Sequence, residues 1–156
     1  MKKTYTVQEA KASLEAYCAY QERCHREVVA KLHTMGMIPL AIDDIVVHLI
    51  QYGFLNEERY ARSFARGKFY NKKWGKLRIQ RELKARGLTD YNIEAGLSEI
   101  TDDDYYETLN LLAEKKQAAI KEKNPYKAKA KLANFLLYRG FEPELVYEIV
   151  DELYDE

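Results

Sequence analysis

A chain of 156 residues holds one ordinary domain or a short array of small repeats. Hydrophobic residues make up 47%, which rules out wholesale disorder, and seven Gly with three Pro are too few for the many turns of a sandwich or barrel. Lys plus Arg and Asp plus Glu number 25 each, so the net charge is zero. No apolar run approaches the ~18 residues of a membrane span. Met1-Lys2-Lys3-Thr4-Tyr5-Thr6 leads into polar sequence rather than an apolar signal core. Cys18 and Cys24 are the only cysteines, so neither a disulfide framework nor a four-cysteine zinc site is available. The expectation is a soluble, cytoplasmic, all-α protein with no metal, cofactor or membrane partner.

Along the chain, Thr6-x-x-Glu9 forms a capping box ahead of a helix over residues 10–20. Cys24-His25 stands at the next helix start, with Val28 and Leu32 four apart before Gly36. Pro39 then opens a helix carrying Ile42, Val46 and Leu49. Asn56-Glu57-Glu58 places a cap and two acids before Tyr60, Ala61, Phe64 and Ala65. Ile79 and Leu83 precede Gly87; Leu88, Ile93, Leu97 and Ile100 follow it. Thr101-Asp102-Asp103-Asp104 caps a helix with Tyr105, Leu109 and Leu112, and Asn124-Pro125 marks a break. Leu132 and Leu136 precede Gly140, and Phe141, Pro143, Val146, Val150 and Leu153 follow it.

The three glycines organise this pattern. Gly36, Gly87 and Gly140 lie 51 and 53 residues apart, and apolar residues recur at −8, −4, +1, +6, +10 and +13 from each. That is a threefold repeat, with two amphipathic helices joined at a glycine that closes the first in a left-handed conformation. With the preceding helix, each repeat has three helices: residues 1–55, 56–100 and 101–156. Units this small hold little core alone, so the expected architecture is three tandem three-helix repeats stacked in an extended, curved array. One nine-helix globular domain is the alternative.

Catalytic chemistry finds no constellation. His25, His33 and His48 form no two-histidine helical metal pair, and Cys24-His25 lacks a third ligand. Gly67, Gly75 and Gly87 are too widely spaced for a phosphate loop. Asp102-Asp103-Asp104 reads as a helix N-terminus rather than a cation site.

The charge is blocked instead. Residues 59–86 carry eleven bases against Glu82 alone, whereas residues 88–113 carry seven acids and no base. Residues 114–131 return to seven lysines against two glutamates. Arg59, Arg62 and Arg66 fall within about 60° on a helix, opposite Tyr60 and Phe64. Arg78 and Arg81 point away from Ile79 and Leu83. Between them runs Phe69-Tyr70-Asn71-Lys72-Lys73-Trp74-Gly75-Lys76, mixing cations with rings. Ten of the eleven cations lack an acidic partner within the block. Arg59, Arg62, Arg66, Lys72, Lys73, Trp74, Lys76, Arg78 and Arg81 are therefore the candidate contacts for nucleic acid: cations for phosphates, rings for bases.

Three stretches resemble the RecX family. Gly53-Phe54-Leu55-Asn56-Glu57-Glu58-Arg59-Tyr60-Ala61 looks like the junction of its first two repeats. Gly75-Lys76-Leu77-Arg78-Ile79-Gln80-Arg81-Glu82-Leu83-Lys84-Ala85-Arg86-Gly87-Leu88 resembles its central signature, and Arg23-Cys24-His25-Arg26-Glu27-Val28-Val29-Ala30-Lys31-Leu32 its opening one. Cys24 departs from the serine common in that family; sulfur is a weak acceptor, so a weaker cap and box with Glu27 are expected. The resemblance implies a non-enzymatic regulator of the RecA recombinase, and a monomer is the expected state. It would lie along the groove of the RecA–DNA filament, contact single- and double-stranded DNA, and inhibit ATPase, strand exchange and co-protease activity. A helical nucleic-acid-binding module independent of RecA is the alternative from another class.

Overall fold

The helix starts expected at Thr6, Asn56, Thr101 and Asn124 have their side-chain caps, and those expected at Pro39 and Pro143 their prolines. In the computed structural model, which describes residues 3–155, nine α-helices and one π turn follow one another with no strand among the described residues. Met1, Lys2 and Glu156 lie outside the described residues, and with them the first two positions of the polar N-terminal stretch.

Helix α1 (Val7–Tyr20) begins with the reciprocal box: Glu9 N donates to Thr6 Oγ1 at 3.1 Å and Thr6 N to Glu9 Oε1 at 2.9 Å. The bond from the Thr6 backbone holds the Glu9 carboxyl below its ordinary range. At α2 (His25–Thr34), Cys24 N donates to Glu27 Oε1 at 3.0 Å. The sulfur faces the Glu27 N–H only as a soft acceptor, so this box is made chiefly from the glutamate side. Asn56 Oδ1 accepts from Arg59 N at 2.9 Å at the head of α4 (Glu57–Arg66). Thr101 Oγ1 accepts from Asp104 N at 3.2 Å for α7 (Asp102–Ala119). Pro39, Pro125 and Pro143 open α3 (Pro39–Gln51), α8 (Pro125–Tyr138) and α9 (Pro143–Tyr154), where the missing N–H is no loss. The remaining helices are α5 (Lys76–Ala85) and α6 (Asp90–Leu97).

The repeat has a backbone cause. Gly36, Gly87 and Gly140 have φ of +77°, +83° and +98°. Each is followed by a residue whose N–H reaches back over the turn: Met37 to Leu32 O at 3.1 Å, Leu88 to Leu83 O at 3.2 Å, Phe141 to Leu136 O at 3.3 Å. This is the Schellman closure, which also presses the residue after the glycine onto the one four before it. The apolar residues at −4 and +1 thus form the same pairing in all three repeats. Fifteen of the eighteen aligned apolar positions are buried; Met37, Leu97 and Leu153 are half-buried. Gly53, φ +77°, closes α3 by the same bonds and stands outside the threefold pattern.

By packing, the chain forms two compact units. The first comprises the chain through Ser63 with Leu83–Gly96, and the second Phe64–Glu82 with the chain from Leu97 on. The helix triplet α4–α6 is therefore shared between units, with boundaries inside α4, inside α5 and before the last residue of α6. In the first unit α1, α2 and α3 bury Leu14, Val28, Leu32, Ile45 and Leu49 completely. Cys18 and Cys24 are buried free thiols, and burial pushes both up from the usual thiol range. In the second, α7, α8 and α9 pack around Phe69, Tyr105 and Phe141, with ring centroids 5.7 and 5.3 Å from Tyr105. Among the described residues no helix is long and apolar enough to cross a membrane.

Two glycine substitutions separate backbone strain from crowding. A Cβ at Gly36 meets nothing within 4 Å, whereas one at Gly140 meets Arg78 N at 2.7 Å. Gly36→Ala should cost about 1 kcal/mol, or ~2–4 °C in melting temperature. Gly140→Ala should cost at least about 2 kcal/mol more, because backbone must move. Equal shifts would contradict this packing.

Candidate nucleic-acid interface

The nine candidate residues divide between the units. Arg59 and Arg62 belong to the first; Arg66, Lys72, Lys73, Trp74, Lys76, Arg78 and Arg81 belong to the second. In the first unit the two arginines are engaged. Arg59 pairs with Glu22 and donates from Nη2 to Gly53 O at 2.9 Å. Arg62 pairs with Glu58 at 3.3 Å, one turn away, and is half-buried.

In the second unit α4 does not stop at Arg66 but widens into a π turn, Gly67–Asn71. Lys73 follows at φ +59°, a left-handed conformation that costs a non-glycine residue about 1 kcal/mol. That reversal turns the chain back, and Trp74 N donates to Lys68 O at 3.1 Å. The half-buried Trp74 ring lies edge-on to Phe64, at 6.3 Å between centroids. Cations cover it: the Lys68 ammonium at 4.8 Å and the Arg78 guanidinium at 4.0 Å from its centroid. Arg78 also lies 5.6 Å from the ring of Tyr138, which is 79% exposed. Trp74 is thus a stacking partner for the protein's own cations, and the open ring beside them is Tyr138.

Backbone bonds lock this arrangement. Gly75 N donates to Arg139 O at 2.8 Å and Leu77 N to Gly140 O at 3.0 Å. Arg139 Nη1 donates to Lys72 O at 2.7 Å. Beneath them Tyr105, 2% exposed, accepts from Lys76 N at 2.9 Å and donates its hydroxyl to Glu142. Tyr70 on the π turn donates to Asp104 Oδ2 at 2.7 Å.

The shortage of acids inside the block is made up from outside it. Besides the pairs of Arg59 and Arg62, Arg66 pairs with Glu99, Lys76 with Asp102 at 3.9 Å and Lys84 with Asp90 at 3.6 Å. Such exposed pairs contribute roughly 0–1 kcal/mol each, but they trim the local positive field. Lys72, Lys73, Arg78 and Arg81 meet no carboxylate within ion-pair distance among the described residues. Lys72, Lys73 and Arg81 are exposed, while Arg78 is half-buried against Trp74, so Arg78 does not stand clear as the helical spacing implied. Lys68, Tyr138 and Arg139 join the cluster, and the charge pattern of the sequence does not pick them out. Tyr138 does carry a signal: Thr34 and Ala85 occupy its place in the other repeats.

Fold and site together define a class: an all-helical protein of consecutive three-helix domains with a cation–aromatic surface. The family model described as RecX, second three-helix domain, matches residues 56–97, and the one for the third three-helix domain matches residues 102–150. The chain belongs to the RecX family. Proteins named regulatory protein RecX from Bacillus cereus (strain AH820) and Bacillus anthracis (strain A0248) are each 28% identical to it over 154 residues. Those residues are 97% of this chain and 57% of theirs, so the chain spans little more than half the length of these relatives. The crystal structure of RecX from Lactobacillus salivarius superposes with a TM-score of 0.83 at 26% identity, covering 94% of this chain and 96% of that one. A crystal structure of regulatory protein RecX shares the fold, with a TM-score of 0.80 at 21% identity over 97% of this chain and 81% of that one.

Two buried phenols make the fold alkali-sensitive. Burial pushes Tyr60 up to about 12, and burial with the bond to Glu142 raises Tyr105 further. The folded state holds these protons more tightly than the unfolded chain, so stability is full below pH ~10 and falls above it. Tyr105→Phe should lose about 1–3 kcal/mol at pH 7, by leaving Lys76 N–H and Glu142 without their partner. It should also make the alkaline decline of the melting temperature shallower. An unchanged midpoint at pH 7, or an unchanged alkaline decline, would contradict the buried bond.

Proposed function

We propose that this chain is a non-enzymatic regulator, in the inhibiting sense, of a RecA recombinase in the cytoplasm. It binds the RecA–DNA filament as a monomer, along the groove, and touches single- or double-stranded DNA there. Membership of a family whose relatives are named regulatory proteins supports this reading. The observation that carries its DNA component is the group of candidate cations without carboxylate partners among the described residues, Lys72, Lys73, Arg78 and Arg81. A polyanion that binds them releases condensed counterions, which gives affinity without chemistry. Occupying the filament shifts its assembly or its active conformation only by binding one state better than another, and so depresses ATPase, strand exchange and co-protease activity together. We take the repeats to run over residues 1–55, 56–100 and 101–156, with the second carrying most of the DNA-facing residues.

The same cations favour a second reading, a helical nucleic-acid-binding module that needs no RecA. One pair of measurements separates the two. Substoichiometric protein should depress RecA's ATPase on single-stranded DNA while hydrolysing nothing itself. Lys72→Gln/Arg81→Gln should weaken DNA binding and flatten its salt dependence by about one log–log unit for each phosphate no longer neutralised. The melting temperature should barely move, because both side chains are exposed. Undiminished ATPase with intact DNA binding would favour the second reading; unchanged affinity and salt slope would remove the DNA role of these residues.

A further inference from the structure

Within the second unit, the end of α7 and the outer face of α8 enclose an open cleft of about 730 Å³, outside the basic block. Lys116 and Lys121 line it from one side, Asn134 and Tyr138 from the other, with half-buried Phe135 between them. The Lys116 ammonium lies 5.0 Å from the Phe135 ring, and Arg139 lies 5.2 Å from it, so that ring is already covered by cations. Lys131 is held by Glu122 at 3.7 Å. Tyr138 differs: its ring is largely exposed, and it is the same ring that Arg78 approaches. One side chain therefore belongs to two features, the cleft and the row running from Trp74 through Arg78.

A ligand matching this cleft has a flat apolar face for Tyr138, polar edges for the Asn134 amide and negative charge for Lys116 and Lys121. A base carried on a phosphodiester chain has all three. Paired bases keep their faces stacked inside a duplex, whereas a single strand can offer one to a ring. The geometry points to the α7–α8 cleft as a base-binding subsite for single-stranded nucleic acid, with one base stacked on Tyr138 and the flanking phosphates at Lys116 and Lys121. This rests on the nucleic-acid component of the proposed function and adds to it a preference for single strands.

The test is fluorescence anisotropy with a short labelled oligothymidine and a duplex of equal length, using the full chain. Tyr138→Ala should weaken oligothymidine binding at least about fivefold and leave duplex binding within about twofold; Tyr138→Phe should keep both, since stacking needs the ring and not the hydroxyl. Asn134→Ala, also at an exposed position, gives an independent variant of the cleft and should weaken oligothymidine binding in the same sense. Circular dichroism melting confirms that each variant is folded. If folded Tyr138→Ala and Asn134→Ala bind oligothymidine like the parent while Lys72→Gln/Arg81→Gln binds it less, the cleft is overturned and the basic-band reading stands. Equal losses for single strand and duplex would overturn the base-stacking role. If the parent binds neither probe, both readings fall.

Discussion

The second unit depends on a place where two backbones touch. Gly75 and Gly140 have no room for a Cβ: at either position it would run into the other segment's main chain. That closeness lets Gly75 N and Leu77 N bond to Arg139 O and Gly140 O, which fastens the start of α5 to the end of α8. Trp74 and Arg78 leave one side of this junction and Tyr138 leaves the other, so the cation–aromatic row is a direct consequence of it. Gly140 serves twice, since its φ of +98° also closes α8. Neither role tolerates a side chain.

The repeat is legible in the sequence because its cause is local. A Schellman closure couples a glycine to residues four before and one after it, and these are visible in any one copy and unmistakable in three. Caps are legible for the same reason: Thr6, Asn56, Thr101 and Asn124 act within three residues of themselves. The acids that neutralise the basic block are not, because Glu22 and Glu99 lie 37 and 33 residues from the arginines they meet. Helical spacing says which way a side chain leaves its own helix and nothing about what arrives there. Spacing alone therefore leaves Arg78 free, although it lies on Trp74, and it carries no sign of the π turn or the left-handed Lys73. The division into two units cuts α4, α5 and the end of α6, and no composition break marks it.

Zero net charge conceals an uneven field. Ion pairs tie up Arg59, Arg62, Arg66, Lys76 and Lys84, leaving Lys68, Lys72, Lys73, Arg78 and Arg81 of the second unit without carboxylates among the described residues. The pairs add little stability at the surface; the core of leucines and the Phe69–Tyr105–Phe141 cluster supplies that. What the pairs set is where the positive potential remains, beside an exposed ring.

Photocrosslinking of the full chain to a thiothymidine-containing oligonucleotide, with the adducts located by peptide mass spectrometry, tests most directly whether this remaining surface of the second unit touches nucleic acid. Adducts are expected within residues 64–82 or at Tyr138. Adducts confined to rings of the first unit, such as Tyr20, Tyr52 or Tyr91, would contradict it.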